Sequence, residues 1–184
     1  MILYHTSDRE IRFPDIRHGR KNADFGQGFY LTPDRGFTYR WAGENAVVNI
    51  YEFDETGLDI LRFARGVDWF DYIFHNRRLR DDLSADAVIG PISNDTIFDT
   101  LGLLSSGFLK PEEALRLLSV GPEYTQAALK TEKAVSHLKF IRSERIERTD
   151  AETLKAERKA YGEKLEEELK KMAEEEAAKD AADG

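Results

Sequence analysis

The chain has no cysteine among its 184 residues, which excludes disulfides, cysteine-based zinc sites and a thiol nucleophile. It has no run of about 18 apolar residues, so nothing reads as a membrane-spanning helix. Met1-Ile2-Leu3-Tyr4-His5 lacks the basic start and long apolar stretch of a secretory signal. The expectation is a soluble, cytoplasmic protein with no membrane partner. His75 and His137 show no metal-ligand spacing to a second histidine, so no metal is expected. Gly26 and Gly28 lack the third glycine and the following ribose-binding acid of a dinucleotide-fold fingerprint. Cations are in deficit, 27 against 35 acids, for a net charge of −8, so the chain is not a uniformly basic nucleic-acid binder. The deficit is uneven: 12 acids and 7 bases from Asp150 onward account for −5 of it. Arg12, Arg17, His18, Arg20 and Lys21 form a local basic cluster in one early loop.

What is present suffices for one domain with a core. Ile2–His5 reads as a short buried strand, residues 7–26 as a polar loop broken by Pro14 and Gly19, and Gly28–Leu31 as a second strand. Thr32-Pro33-Asp34 starts a helix to about Ala42 that buries Phe37 and Trp41 on one face. Ala46–Phe53 is the clearest strand, being rich in Val, Ile, Tyr and Phe. Further strands are expected at 58–64, 85–92, 124–129 and 138–146, and helices at 68–79, 96–104, 110–121 and 131–138. Ser93-Asn94-Asp95 caps the helix over 96–104. Strands and helices mix without regular alternation, which predicts an α+β fold.

The remainder, residues 149–184, differs in kind. It is rich in Ala, Glu, Lys and Leu, with a narrow seam of Leu154, Tyr161, Leu165, Leu169 and Met172. That is an amphipathic helix, expected to fray after about Ala173. It either docks as a solvated helix or binds a partner. The expected division is a domain over 1–148 and an acidic helical tail over 149–184.

Two N-terminal segments carry the chemistry. Tyr4-His5-Thr6-Ser7 ends the first strand, and Asp24-Phe25-Gly26-Gln27-Gly28-Phe29-Tyr30-Leu31-Thr32 follows after too short an interval for a crossover helix. Glycine lets the backbone approach a ligand closely, but it equally serves a bulge or turn.

Together these segments resemble the ADP-ribosyltransferases of the diphtheria-toxin and poly(ADP-ribose) polymerase branch. Those carry a histidine in the first strand, an F-G-x-G-apolar-Tyr segment, and a Glu or Gln opening a later strand. Arg20–Thr32 is similar almost throughout to the R-K-N-x-D-F-G-x-G-F-Y-L-T block of a small bacterial toxin-like group in that branch. Val88-Ile89-Gly90-Pro91-Ile92, followed by Asn94-Asp95, resembles a further family segment, and the resemblance spans residues 2–146.

The resemblance implies a split β-sheet core and NAD as substrate, with ADP-ribose passed to a protein or nucleic-acid acceptor and nicotinamide released. It implies catalytic roles for His5, Tyr30 and Gln126. His5 would bond ribose hydroxyls through whichever nitrogen is left free. Thr6 backbone atoms would pair with the nicotinamide carboxamide, with a further bond from the Thr38 hydroxyl, and Tyr30 and Trp41 would sandwich the ring. Gly28 and Phe29 would lie against NAD, and Arg20 and Asn22 would meet the pyrophosphate. Gln126 would bond the nicotinamide ribose, with Glu123 and Glu132 as rivals for its position. A toxin of this kind implies an antitoxin or partner protein, with the C-terminal helix as its contact. Two departures stand out. Thr6 occupies a place usually held by Gly, and Gln126 replaces the Glu of polymer-forming members, which points to single transfer or NAD hydrolysis. The alternative reading is an inactive NAD- or ADP-ribose-binding module that recruits partners through its C-terminal helix.

Overall fold

The computed structural model describes residues 1–43, 45–78, 83–93, 110–121, 123–146 and 151–183. The fold is α+β, and the described residues form seven strands in two sheets. The expected helix over 96–104 and its Asn94-Asp95 cap lie outside the described residues.

The first sheet has the order β1-β3-β7, all antiparallel, from Ile2–Ser7 (β1), Val47–Phe53 (β3) and Leu138–Arg145 (β7). The second has the order β2-β6-β5-β4, from Phe29–Leu31 (β2), Thr125–Leu129 (β6), Ala87–Pro91 (β5) and Ile60–Arg62 (β4). The β4–β5 pair is parallel.

Register decides the faces. Phe29, Leu31, Ala87, Ile89, Ala127 and Leu129 share one face of the second sheet and enter the main core with Leu3, Tyr51 and Phe53 of the first. Strand alternation turns Tyr30, Ala128 and Val88, with Gln126 and Gly90, to the opposite face. Phe25, Phe63 and Tyr72 pack as a stacked aromatic group with ring centroids 5.0–6.4 Å apart. A Cβ on Gly90 would stand 3.1 Å from the Phe63 Cβ and 3.2 Å from the Phe25 ring, so Gly90 lets that group sit on this face of the sheet.

The segment expected as an α-helix after Pro33 is a 3-10 helix, Arg35–Trp41. Its Gly, Thr and three aromatics are weak α-formers, and the Thr38 hydroxyl donates back to the Arg35 carbonyl at 2.6 Å, which suits the tighter turn. Val67–Arg78 (α1), Pro111–Leu118 (α2) and Glu132–Ser136 (α3) fall where the sequence predicts helices. Thr131 caps α3 by accepting from the Ala134 N–H.

Contacts divide the chain into two compact units, Met1–Ile92 with Tyr124–Thr149, and Ser93–Glu123 with Asp150–Gly184. The second unit contains α2 and the C-terminal helix Ala151–Asp183 (α4). Arg116 of α2 reaches Glu168 at 2.7 Å and Glu175 at 2.6 Å on α4, and the Tyr161 ring lies beside Gly121. At about 1.5 Å per residue α4 is about 50 Å long. It continues to Asp183, beyond the expected fraying point, because Ala, Glu and Lys are strong helix formers. Among the described residues no helix is long and apolar enough to cross a membrane.

Candidate active site

Among the described residues one isolated bridge joins the two sheets of the first unit. Tyr4 and Thr32 exchange both backbone hydrogen bonds at 2.9 Å, after which β1 and β2 belong to different sheets. An antiparallel ladder continued past this bridge would join Thr6 to Tyr30. Instead the Tyr30 carbonyl is taken by His5 Nδ1 at 2.7 Å. Strand alternation turns the Thr6 N–H and C=O to the same side as those of Tyr4, toward the gap, where no strand among the described residues pairs with them.

This contact fixes the state of His5. A carbonyl oxygen only accepts, so Nδ1 carries the proton and Nε2 presents a lone pair. Burial lowers the His5 pKa, opposed by the bond to Tyr30, so the ring is held neutral. Phe29 packs beneath it with centroids 4.3 Å apart. Nε2 has no hydrogen-bond partner among the described residues.

Tyr30 supports the loop before it. Its hydroxyl accepts from the Phe25 N–H at 2.9 Å and donates to the Gly26 carbonyl at 2.8 Å. Burial pushes its pKa well up, so the phenol stays protonated. Gly26 is left-handed at φ 76°, closing the turn from the Ala23 carbonyl to the Gly26 N–H. Gly28 sits where a Cβ would stand 2.7 Å from the Leu129 carbonyl oxygen, and a Cβ on Gly19 would meet the Gly28 carbonyl. Both glycines are explained by close backbone packing, Gly28 on β6 and Gly19 on Gly28.

The structure adds one group that the sequence pattern does not single out, Asp24. Its carboxylate accepts from Arg77 Nε at 2.6 Å and from Arg77 Nη2, and from Gln126 Nε2 at 2.8 Å. Its backbone carbonyl accepts from Asn76 Nδ2 at 3.2 Å. The side chains of Asp24 and Arg77 are each 6% exposed. Asp24-Phe25-Gly26 is thus clamped from three sides, by α1, β2 and β6. The sequence signal is weak: Asp24 opens the glycine block, but only the fold brings Asn76-Arg77 and Gln126 to it.

The other expected site residues are placed as follows. Gln126 is buried with its amide nitrogen committed to Asp24, while its rivals Glu123 and Glu132 are exposed. Thr38 is buried and its proton is spent on the Arg35 carbonyl, which leaves it an acceptor only. The Thr6 hydroxyl donates to the Thr38 carbonyl at 3.1 Å, tying β1 to the 3-10 helix. Trp41 is 39% exposed and meets Phe37 edge-on at 4.8 Å; it does not touch Tyr30. Arg20 and Asn22 are exposed. Arg20 has no ion-pair partner among the described residues, and its charge reaches the Tyr30 phenol. His5 and the backbone of Tyr30 thus meet where the sheets diverge, beside Thr6, whereas the Tyr30 hydroxyl and Gln126 are turned to the 24–26 loop on the other face of the second sheet, and Trp41 and Thr38 stand on the adjoining 3-10 helix. Among the described residues no group of three or more His, Asp or Glu side chains is arranged to hold a metal ion.

No curated protein and no solved structure matches the chain. Residues 1–140 match the family model described as "Protein of unknown function (DUF3990)", and the chain belongs to that family.

Proposed function

We propose that the chain is an NAD-dependent mono-ADP-ribosyltransferase, built on the split sheet of that superfamily. The observation that carries this reading is the His5–Tyr30 contact across the diverging strands. It leaves an imidazole lone pair suited to a ribose hydroxyl, beside the N–H and C=O of Thr6, which suit the donor and acceptor of a carboxamide. The Tyr30 ring is fixed through its hydroxyl, and in this reading it would stack on the nicotinamide. Arg20 offers an unpaired guanidinium to a pyrophosphate.

In the proposed reaction the bond between C1′ of the ribose and the nicotinamide nitrogen breaks. Both electrons go to that nitrogen and cancel its pyridinium charge. The oxocarbenium left at C1′ takes a lone pair from the acceptor, whose proton is lost to solvent. Tyr30 stays protonated and an amide is no base, so the site acts by holding the ribose and the leaving group in place. A macromolecular acceptor, an effector or toxin role in the cytoplasm and a partner contact through α4 belong to the same proposal.

A second reading has its own observation. The Gln126 amide nitrogen is engaged by Asp24, and Thr6 carries a side chain where a bare backbone would clear the ring. Both favour an NAD- or ADP-ribose-binding module without turnover. Nicotinamide release from NAD, measured for the wild type and for His5→Ala, separates the two. Release that collapses in the variant supports the transferase. NAD binding without release, even with lysate supplied as acceptor, supports the module. Release unaffected by His5→Ala refutes the site.

A further inference from the structure

We propose that the loop joining β1 to β2 docks the acceptor, and that this acceptor is a single-stranded nucleic acid with a base stacked on Phe13 and its phosphates on Arg17 and Lys21. The proposal rests on the transferase reading for its chemistry, but docking is measurable without turnover. Phe13 is 91% exposed, by far the most exposed of the large apolar residues among those described. It is not loosely held. Ile11 and Ile16 pack against the main core on either side of it. The Ile11 N–H donates to Asn49 Oδ1 at 2.8 Å and the Ile11 carbonyl accepts from the Tyr51 hydroxyl at 2.6 Å. Pro14 stiffens the turn that follows. An aromatic ring is thus displayed between two anchors.

The charge around it runs against that of the chain. Residues 9–21 carry Arg9, Arg12, Arg17, Arg20 and Lys21 against Glu10 and Asp15, in a protein of net charge −8. Lys21 has no ion-pair partner among the described residues, and Arg17 meets Glu132 only at 3.9 Å, both exposed. A single π-face on a loop that carries such weakly engaged cations four and eight residues further on matches a base and its phosphates. A lipid surface or a protein hot spot calls for a contiguous apolar patch, and here the flanking isoleucines are turned inward. The loop also stands at the site: Gly19 abuts Gly28, and the charge of Arg20 reaches Tyr30.

The test is fluorescence anisotropy of the full chain with labelled single-stranded RNA and DNA of about 20 mixed-sequence nucleotides, with phosphatidylserine vesicles in parallel. Phe13→Ala is expected to weaken oligonucleotide binding about tenfold and Phe13→Trp to restore it. Arg17→Ala/Lys21→Ala is expected to lower the salt slope by about 1.4, at about 0.7 per phosphate on a single strand. Binding indifferent to Phe13, no binding at low salt, or capture by vesicles but not oligonucleotides overturns the proposal. Nicotinamide release without oligonucleotide is expected to be the same in Phe13→Ala; a raised KM for NAD would assign Phe13 to the NAD adenine instead and sink the docking role. Phe13-dependent oligonucleotide binding by a chain that releases no nicotinamide would support the docking surface while removing the transferase reading.

Discussion

Replacing Asp24 with asparagine removes one charge from a pair whose partner stays behind. Arg77 then keeps a guanidinium in a place where both side chains are 6% exposed. Stranding one member of such a pair costs about 3–5 kcal/mol, because the remaining charge has left water without compensation. At about 2–4 °C per kcal/mol for a chain of this size, the midpoint of thermal unfolding falls by about 6–20 °C. The new amide at position 24 can keep its bond to Gln126 only if one of the two amides offers its oxygen, since two NH2 groups cannot bond each other. The substitution therefore also bears on which atom Gln126 offers to a ligand. The assay is urea unfolding of the wild type, Asp24→Asn, Arg77→Met and the double variant. The expected pattern is a double variant more stable than Asp24→Asn alone, with a coupling of about 2 kcal/mol or more. A loss under about 1 kcal/mol in Asp24→Asn, or simple additivity in the cycle, would refute the claim that this pair clamps the loop.

Other substitutions separate packing from chemistry. Tyr30→Phe leaves the Phe25 N–H and the Gly26 carbonyl without their partner, for about 1–3 kcal/mol in urea unfolding. It keeps the ring, so NAD affinity by calorimetry is expected to fall far less than in Tyr30→Ala. Gly28→Ala drives a methyl to 2.7 Å from the Leu129 oxygen and is expected to destabilise by about 1–3 kcal/mol whether or not NAD is bound. His5 has a folded pKa below its ordinary 6.5, so the unfolded chain binds the extra proton first. Its contribution to stability is full above about 6.5 and is lost as the pH falls through the lowered value; NAD affinity is expected to fall with it, as Nε2 becomes a donor. His5→Asn should flatten that acid limb in urea titrations, and an unchanged limb would show that other groups cause it.

The strands are legible in the sequence because their signals are local. Ala46–Phe53 is β-branched and aromatic, and β5 and β6 are interior strands that read as short apolar runs. The 3-10 helix reads as an α-helix because its start signals, Thr32, Pro33 and Asp34, are shared by both types. Thr32 and Asp34 are in fact occupied by β6: the Thr32 hydroxyl donates to the Thr125 carbonyl at 2.7 Å, and the Thr125 N–H donates to Asp34 Oδ2 at 2.8 Å. Those contacts span more than 90 residues, and no local pattern carries them. The same holds for Asp24, whose partners lie 53 and 102 residues away. His5 and Tyr30 stand out in the sequence because the type and order of residues, rather than distant contacts, mark them.

Asp24 also bears on one departure of this chain from the pattern it resembles, the glutamine at position 126. A glutamate at position 126 would face the Asp24 carboxylate at hydrogen-bond distance, setting two like charges against each other in a buried place with only Arg77 to offset them. A glutamine meets the same carboxylate as a donor, at 2.8 Å. The Asp24–Arg77 pair and the amide at position 126 are therefore one solution: the ion pair anchors the loop beneath Tyr30, and the neutral amide is the side chain compatible with it. Loop support by itself accounts for an amide at 126. Gln126→Glu in the wild-type background is then expected to destabilise the fold and not to create chain elongation. The same change together with Asp24→Asn, which removes the repulsion, is expected to regain part of that stability. Urea unfolding of the two variants decides it, and a Gln126→Glu variant as stable as the wild type would break the link between the two positions.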